Sequence, residues 1–374
     1  MVIVIITHVP HKIFHREIFA YAPYVREMNL WFKYVNKVVL IAPKVETKPT
    51  PIEIPYKHDN ILFHTINSVE FTSFKSSVIS VIKIPSIIWT IFKTCKKADH
   101  IHLRCPGNIG LFGCFVQVFF PKKPKTAKYA GNWDPNGKQP FSYKLQKWIL
   151  SNTFLTKNSQ VLVYGDWNNQ TKNIKPFFTA TYSNSEIEPA EIRDYSNEIK
   201  FVFVGSLVQG KRPLFTIRIV EALKKQGKKV SLDIYGDGVL KNSLNQYVSK
   251  NKLDGFIKLH GNKEISVVKT VLKTAHFLIL PSKSEGWPKA VAEAMFYGTI
   301  PVTTSVSCIP FMLNFGERGI IINPDVQSAL ESINKVINDS KSLKRMSKLA
   351  ATWSQQYTLE VFDEEISKLL NRSY

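Results

Sequence analysis

The sequence predicts an α/β protein built as two doubly wound domains, each a parallel sheet covered by helices. Three observations lead there. Short apolar runs alternate with helical stretches along the chain, the rhythm of strands joined by crossover helices. Most of these runs end at turns marked by Gly or Pro. A length of 374 residues, 44% of them hydrophobic, suffices for two cores and excludes a disordered chain.

In the first half the predicted strands are Val2–Thr7, Lys37–Ala42, Ile61–Ile66, Ala98–Arg104, Thr126–Ala130 and Val161–Tyr164. The stretch Ser183–Glu198, polar, acidic and broken by Pro189, reads as a linker. A second series begins at Lys200 with FVFVGSL and continues through VSLDIYGDG, IKLHGN, HFLILPS, TIPVTTS and RGIIINPD. The expected domains are 1–185 and 186–355. An amphipathic tail, about 356–374 and including LEVFDEEISKLL, is expected to pack back on the first. A ligand is expected in a deep cleft between the two domains.

Charge is uneven. The formal net charge is +21, and residues 1–185 hold 24 Lys and Arg against 9 Asp and Glu, whereas residues 186–374 hold 26 against 20. The first half is therefore the part expected to meet an anionic partner. The segment Phe74–Lys97 mixes apolar and aromatic residues with lysines, as a helix lying on an anionic membrane surface would. Its apolar run Val78–Phe92, interrupted by Lys83 and Pro85, is too short to span a bilayer. The N-terminal MVIVII lacks the basic flank of a signal peptide and reads as a strand. Four cysteines without metal-ligand spacing fit a reduced, cytoplasmic setting.

The most informative stretch runs from Leu278 to Asp325. A buried strand ends in Pro-Ser-Lys-Ser, Glu285-Gly286 follows, and a helix is opened by Pro288 and closed by Gly298. One carboxylate, Glu285, thus sits on the loop at the carboxyl end of a strand, where open parallel sheets bind ligands. The other, Glu293, lies in an almost wholly apolar helix, where an unpaired carboxylate is costly and a partner is expected. A nucleotide sugar suits this arrangement. Free helix N–H groups receive a diphosphate, and a carboxylate accepts from ribose hydroxyls. Upstream, FVGSLVQGKRP (203–213) places Gly205 and Gly210 in a turn and Lys211 and Arg212 before a helix. Gly236 and Gly261 mark two further strand ends.

Together, FVGSL…KR (203–212), LDIYGDG (232–238) and SEGWPKAVAEAMFYGTIPV (284–302) resemble glycosyltransferase family 4, retaining enzymes of the GT-B fold with two Rossmann-like domains. More loosely, HLRCPGNIG (102–110), AGNWDP (130–135), KQPFSYKLQKWIL (138–150) and residues 161–183 resemble a subgroup from bacterial surface-polysaccharide pathways. The resemblance implies that Glu293 binds the donor ribose, Glu285 lies by the donor sugar, and Lys211 pairs with the diphosphate. It places N–H groups of Gly286, Trp287, Lys289 and Ala290 on sugar and phosphate oxygens. Two positions depart from the pattern. Ser206 stands where the family has an arginine, unless Arg212 replaces that cation, and Thr7-His-Val-Pro-His-Lys replaces a glycine-rich first loop.

The expected reaction moves a hexose-type sugar, with retention, from a UDP- or GDP-linked donor to a hydroxyl of a lipid-linked glycan at the inner face of the cytoplasmic membrane. Capsule, exopolysaccharide or lipopolysaccharide O-antigen would be the product. His8, His102, Arg104, Asn132 and Asp134, near ends of predicted strands, are the candidate acceptor contacts. His102 and Arg104 alternate and share a face of their strand. No cofactor and no metal are expected, because no Asp-x-Asp and no His/Asp/Glu cluster with ligand spacing occurs. Alternatives are a sugar-nucleotide epimerase of the same fold and a non-catalytic partner subunit. A basic nucleic-acid-binding protein is more remote, since the first half lacks the signatures of the common modules.

Overall fold

The computed structural model describes residues 1–69, 74–191 and 193–371, with only the backbone of 74–81. The chain divides into two compact units: Met1–Phe178 with Phe362–Tyr374, and Thr179–Val361.

Unit 1 contains, in chain order, β1 (Val2–Ile6), β2 (Lys12–Phe14), β3 (Glu17–Tyr21), α1 (Ala22–Phe32), β4 (Lys37–Pro43), β5 (Glu53–Pro55) and β6 (Ile61–Ile66). There follow α2 (Phe74–Lys97), β7 (His100–Cys105), α3 (Asn108–Gln117), β8 (Lys125–Tyr129), α4 (Phe141–Ser151), β9 (Ser159–Tyr164) and β10 (Ile174–Phe177). Seven strands form one parallel sheet in the order β10-β9-β8-β7-β1-β4-β6. Successive connections leave β1 in opposite directions, so the strand order reverses between β1 and β7. Strands β2, β3 and β5 form a small antiparallel sheet that the sequence reading did not contain. Its members are three to five residues long and mix charged with apolar positions, so no periodic signal marks them.

The buried centre of the large sheet is aliphatic: Ile3 to Ile6, Val38 and Leu40 to Ala42 are fully or almost fully covered, as expected for strands packed on both faces. Within this core lies a charged group. Glu27 of α1 accepts from Arg104 Nη1 of β7 at 2.6 Å and lies 3.3 Å from Lys128 Nζ of β8. The Lys128 ammonium also donates to Phe178 O at 3.2 Å and sits over the rings of Phe177 and Phe362 at 5.1 and 4.8 Å. Phe362, 2% exposed, contacts Phe177 and Phe178 at about the same ring separation, 5.4 and 5.5 Å. A residue near the end of the chain therefore completes the core of unit 1.

Unit 2 contains β11 (Ile199–Val204), α5 (Pro213–Lys225), β12 (Val230–Tyr235), α6 (Lys241–Lys250), β13 (Ile257–Gly261), α7 (Ile265–Thr274), β14 (Phe277–Leu280) and α8 (Lys289–Phe296). It continues with β15 (Ile300–Thr304), α9 (Ile309–Met312), β16 (Ile320–Ile322), α10 (Val326–Ile337) and α11 (Ser340–Ser354). The last helix, α12 (Leu359–Leu370), starts in unit 2, and most of its residues belong to unit 1. Six parallel strands are ordered β13-β12-β11-β14-β15-β16, which puts the reversal of strand order between β11 and β14.

The stretch read as a linker is not a free connection. Arg193, 6% exposed, donates to Leu272 O and Lys273 O at the end of α7, and to Tyr297 O and Gly298 O beyond α8. It holds carbonyls that have no partner within their own helices. A guanidinium offers five donors in one plane, and Lys269 and Lys273 of α7 pair with Glu186 and Glu188 of the same stretch.

Candidate functional site

The site is built at the carboxyl ends of the strands of unit 2. Strands β11 and β14 flank the reversal of strand order, the position at which an open α/β sheet leaves a crevice for a ligand. The loop after β11 carries Lys211, and the loop after β14 carries Glu285. Their side chains meet across that position, Lys211 Nζ lying 2.5 Å from Glu285 Oε1. Glu285 is 8% exposed and Lys211 28%, so the carboxylate is held inside while the cation faces outward. The two loops are also tied through their backbones. Lys283 N donates to Gly210 O at 2.8 Å, and Arg212 Nη1 donates to Pro281 O at 3.2 Å. Arg212 thus fastens one loop to the other, at the N-cap of α5 with φ 52°.

Gly205, Gly236 and Gly261 end neighbouring strands and lie side by side. Gly205 N donates to Tyr235 O at 3.0 Å, and Gly236 N donates to Gly261 O at 2.9 Å. Gly236 has φ 143°, and a Cβ built there would stand 1.9 Å from Gly205 O. No side chain fits, so the floor of the crevice is bare backbone. Ser206 is exposed at its rim. Beside it, His260 Nε2 is 2.6 Å from Asp233 Oδ1 and its ring stacks on Tyr235 at 4.6 Å. Nothing in the local sequence singled out this pair.

Helix α8 starts at Lys289 after Pro288. Pro288 O accepts from Val291 N at 2.9 Å and Ala292 N at 3.2 Å, and the N–H groups of Lys289 and Ala290 precede the first intrahelical acceptor. The preceding loop is fixed from below: Gly286 O accepts from Ser307 Oγ at 3.3 Å and Cys308 Sγ at 3.1 Å. Trp287 is buried against Trp353 and Tyr357, with ring centroids 6.1 and 5.7 Å away. Its indole is therefore a packing group, and only its backbone is placed to serve a ligand.

Glu293, half-buried on α8, accepts from Thr181 Oγ1 at 2.9 Å and borders a recess of Thr179, Tyr182, Phe296, Ser354 and Tyr357. Removal from water raises its pKa above the ordinary carboxylate value, against the opposing pull of Thr181, Lys289 and Lys269. Thr181 gave no sequence signal, since a lone threonine ahead of a polar stretch resembles any loop residue.

In unit 1 the candidate acceptor residues divide. His8 follows β1 and lies against Gly107, which follows β7, so both stand where the strand order of this sheet reverses. Desolvation first, then the charge of Arg104, lowers the pKa of its imidazole. The other four are committed elsewhere. His102 is fully buried, 4.5 Å from the Trp31 ring with Nδ1 2.8 Å from Thr126 Oγ1, and offers no atom to a ligand. Sharing a face with Arg104 gave it no access, because helix α1 covers that face. Arg104 is engaged by Glu27. Asn132 Oδ1 accepts from Asp134 N, and Asp134 Oδ1 from Asn136 N, both at 2.8 Å, so these side chains shape their own turn. Lys147 of α4 donates to Asp134 O at 3.0 Å and lies over the Tyr129 and Trp133 rings. Burial lowers its pKa to about 8. The sequence reading did not include it.

Among the described residues no group of three or more His, Cys, Asp or Glu side chains is arranged to hold a metal ion, and no helix is long and apolar enough to cross a membrane.

Residues 184–353 match the family model described as Glycosyl transferases group 1. Among curated proteins, one component of the phosphatidylinositol N-acetylglucosaminyltransferase of Arabidopsis thaliana is 25% identical over 50% of this chain and 43% of its own length. The amylovoran biosynthesis glycosyltransferase AmsK of Erwinia amylovora is 28% identical over 39% of each chain. The match thus spans less than half the length of these relatives. Among solved structures, Anabaena HepE in complex with UDP and glucose aligns with 100% of this chain and 99% of its own, with a TM-score of 0.67 at 11% identity. A sucrose-phosphate synthase from Thermosynechococcus elongatus aligns with 99% of this chain and 98% of its own, with a TM-score of 0.64 at 14% identity. Residues 184–353 therefore match the glycosyl transferases group 1 family, within a chain whose two Rossmann-like units have the GT-B fold.

Proposed function

We propose that this protein transfers a sugar, with retention, from a nucleoside-diphosphate sugar to a hydroxyl of a glycan acceptor during surface-polysaccharide assembly. The acceptor is lipid-linked and met at the inner face of the cytoplasmic membrane. The observation that carries this reading is the Lys211–Glu285 pair spanning the reversal of strand order in unit 2. Without ligand, the Lys211 ammonium is neutralised by Glu285. A diphosphate entering over the bare backbone of Gly205 and Gly236 offers Lys211 a second anionic partner. Glu285 then faces the sugar beside the first N–H groups of α8. Glu293, held by Thr181, accepts from the ribose hydroxyls.

In the transfer step the acceptor oxygen bonds to the anomeric carbon on the side that the diphosphate leaves. The bond from that carbon to the phosphate oxygen breaks, and the acceptor proton passes to the departing phosphate. Lys211, Arg212 and the helix N–H groups carry the charge that develops on the leaving group, as preorganised electrostatic stabilisation. They leave no step that needs an added cofactor or metal. Relatives named for amylovoran and capsular polysaccharide biosynthesis support the polymer class.

Calorimetric titration of UDP, GDP and ADP in chelator, on wild type and on Glu293→Gln, tests the reading. One nucleotide is expected to bind tightly and to lose at least about tenfold in affinity in the variant, the cost of a charge-assisted hydrogen bond. Unchanged affinity in the variant would refute the ribose assignment. If no nucleotide binds the wild type, the transfer reading fails with it.

A further inference from the structure

Helices α2, α3 and α4 lie side by side over one face of the seven-stranded sheet. Their inner sides, through Ile87, Ile91, Ile109, Phe112, Ile149 and Leu150, are buried in the sheet's core. Their outer sides are not an ordinary solvated surface. Ile82 and Trp89 of α2 are 73% and 59% exposed, Phe119 beyond α3 is 71%, Trp148 of α4 is 59% and Phe154 in the next turn is 75%. Among the described residues, every exposed Trp and Phe of unit 1 lies on these helices or on the turns at their ends. The rings continue from helix to helix, with Trp89 stacked on Phe92 at 6.1 Å and Phe92 edge-on to Phe119 at 6.1 Å.

The charge on the same elements has one sign. Segments 74–97, 108–124 and 137–158 contain 11 lysines, no arginine and no aspartate or glutamate. Elsewhere in unit 1, Lys12, Lys33 and Lys44 pair with carboxylates, whereas among the described residues no lysine of these segments is in an ion pair. Lys93 Nζ sits 5.7 Å from the Trp89 ring and Lys157 Nζ 4.9 Å from the Phe154 ring. A ring entering the acyl boundary beside an ammonium left at the headgroups has this arrangement.

We propose that the outer face of α2, α3 and α4 is a docking surface for an anionic lipid bilayer, with Trp89, Phe119, Trp148 and Phe154 inserted and the exposed lysines, Lys93, Lys96, Lys122 and Lys157 among them, on the headgroups. A convex helical face with outward rings suits a bilayer better than single-stranded nucleic acid, whose bases stack on aromatic rings along a basic groove. The sequence reading placed membrane contact on Phe74–Lys97, with the charge of 122–125 beside it, and the side chains of 74–81 lie outside the described residues. The structure extends that surface to two further helices. The inference deepens the transfer reading only in where the acceptor is met.

The test is co-sedimentation of the full chain with vesicles of phosphatidylcholine, or with about a third of the lipid replaced by phosphatidylglycerol, at low and high salt. Wild type is expected to partition onto anionic vesicles at least about tenfold more than onto neutral ones, given roughly fivefold per lysine at the surface, and less at high salt. Trp89→Ser with Phe119→Ser should lower binding to anionic vesicles at both salts. Lys93→Glu with Lys96→Glu and Lys122→Glu should remove the preference for anionic lipid. All five positions are outside the nucleotide site, so nucleotide titration reports whether each variant is folded. Wild type that stays in the supernatant, variants that sediment like wild type, or tighter binding to RNA than to vesicles would overturn the proposal. A chain that binds nucleotide but not vesicles sinks the docking surface alone, and the reverse sinks the transfer reading alone.

Discussion

In the proposed reading, the Lys211–Glu285 pair makes nucleotide binding a competition for one ammonium. A diphosphate carries more negative charge than the carboxylate from which, on that reading, it draws Lys211. Lys211→Ala is therefore expected to weaken nucleoside diphosphates by roughly ten- to a hundredfold, the range of a lost charge-assisted contact, and the matching nucleoside much less. Parallel calorimetry on the two ligands checks this, and equal losses would place Lys211 away from the phosphates. Glu293 behaves differently. Because its folded pKa is raised, the folded chain holds a proton that the unfolded chain has released, in the window from the ordinary carboxylate value up to the folded one. That contribution to stability is complete below the window and is lost as pH rises through the folded value. Glu293→Gln removes the loss, so its ligand-free melting temperature at neutral pH should exceed that of wild type even as nucleotide affinity falls. Thermal scans across the acidic range would show the gap closing at low pH. The placement of Glu285 and Lys211 on loops after strands, and of Glu293 in a helix, was legible from turn residues and helix signals. Thr181 and His102 were not, because a hydroxyl partner and the covered face of a strand depend on what folds over them.

At the scale of elements, the site depends on how closely three strand ends approach. Gly236→Ala would push a methyl into Gly205 O, a backbone atom that cannot turn aside as a side chain would. The loops after β11 and β12 should separate, costing about 1–3 kcal/mol by the usual range for overpacking, together with much of the nucleotide affinity. Urea unfolding and a UDP titration on the same sample would measure both, and an unchanged midpoint would contradict the contact. All twelve strands predicted from apolar runs are present to within about two residues. The sequence is so readable there because parallel strands covered on both faces need unbroken aliphatic runs. Where that need lapses, legibility lapses too. Strands β2, β3 and β5 lie outside the large sheet and β10 is at its edge, and the Ser183–Glu198 stretch is secured by Arg193 and by the ion pairs of Glu186 and Glu188 rather than by an apolar stripe.

For the whole molecule, unit 1 includes residues from both termini of the chain, and the contact that joins them is specific. Phe362→Ala would empty a site lined by Phe177, Phe178 and the Lys128 ammonium, and should destabilise unit 1 by about 3–5 kcal/mol. Nucleotide stabilises only what binds it, by about 2.7 kcal/mol at a hundredfold excess over Kd. Denaturation followed by proteolysis of each unit, with and without nucleotide, should therefore show the variant's loss in unit 1 and the ligand's gain in unit 2. A variant that weakens neither unit would mean that α12 contributes little to the core.

The closure of that core by Phe362 also has a consequence for the order of synthesis. The strands of the large sheet leave the ribosome first, yet the ring that covers Lys128 follows about 180 residues later. At roughly 5–20 residues per second, the nascent chain carries an incompletely covered ammonium and exposed phenylalanines for roughly ten to forty seconds. Unit 2, encoded between the two parts, can complete itself in that interval. Unit 1 is thus begun before unit 2 and closed after it.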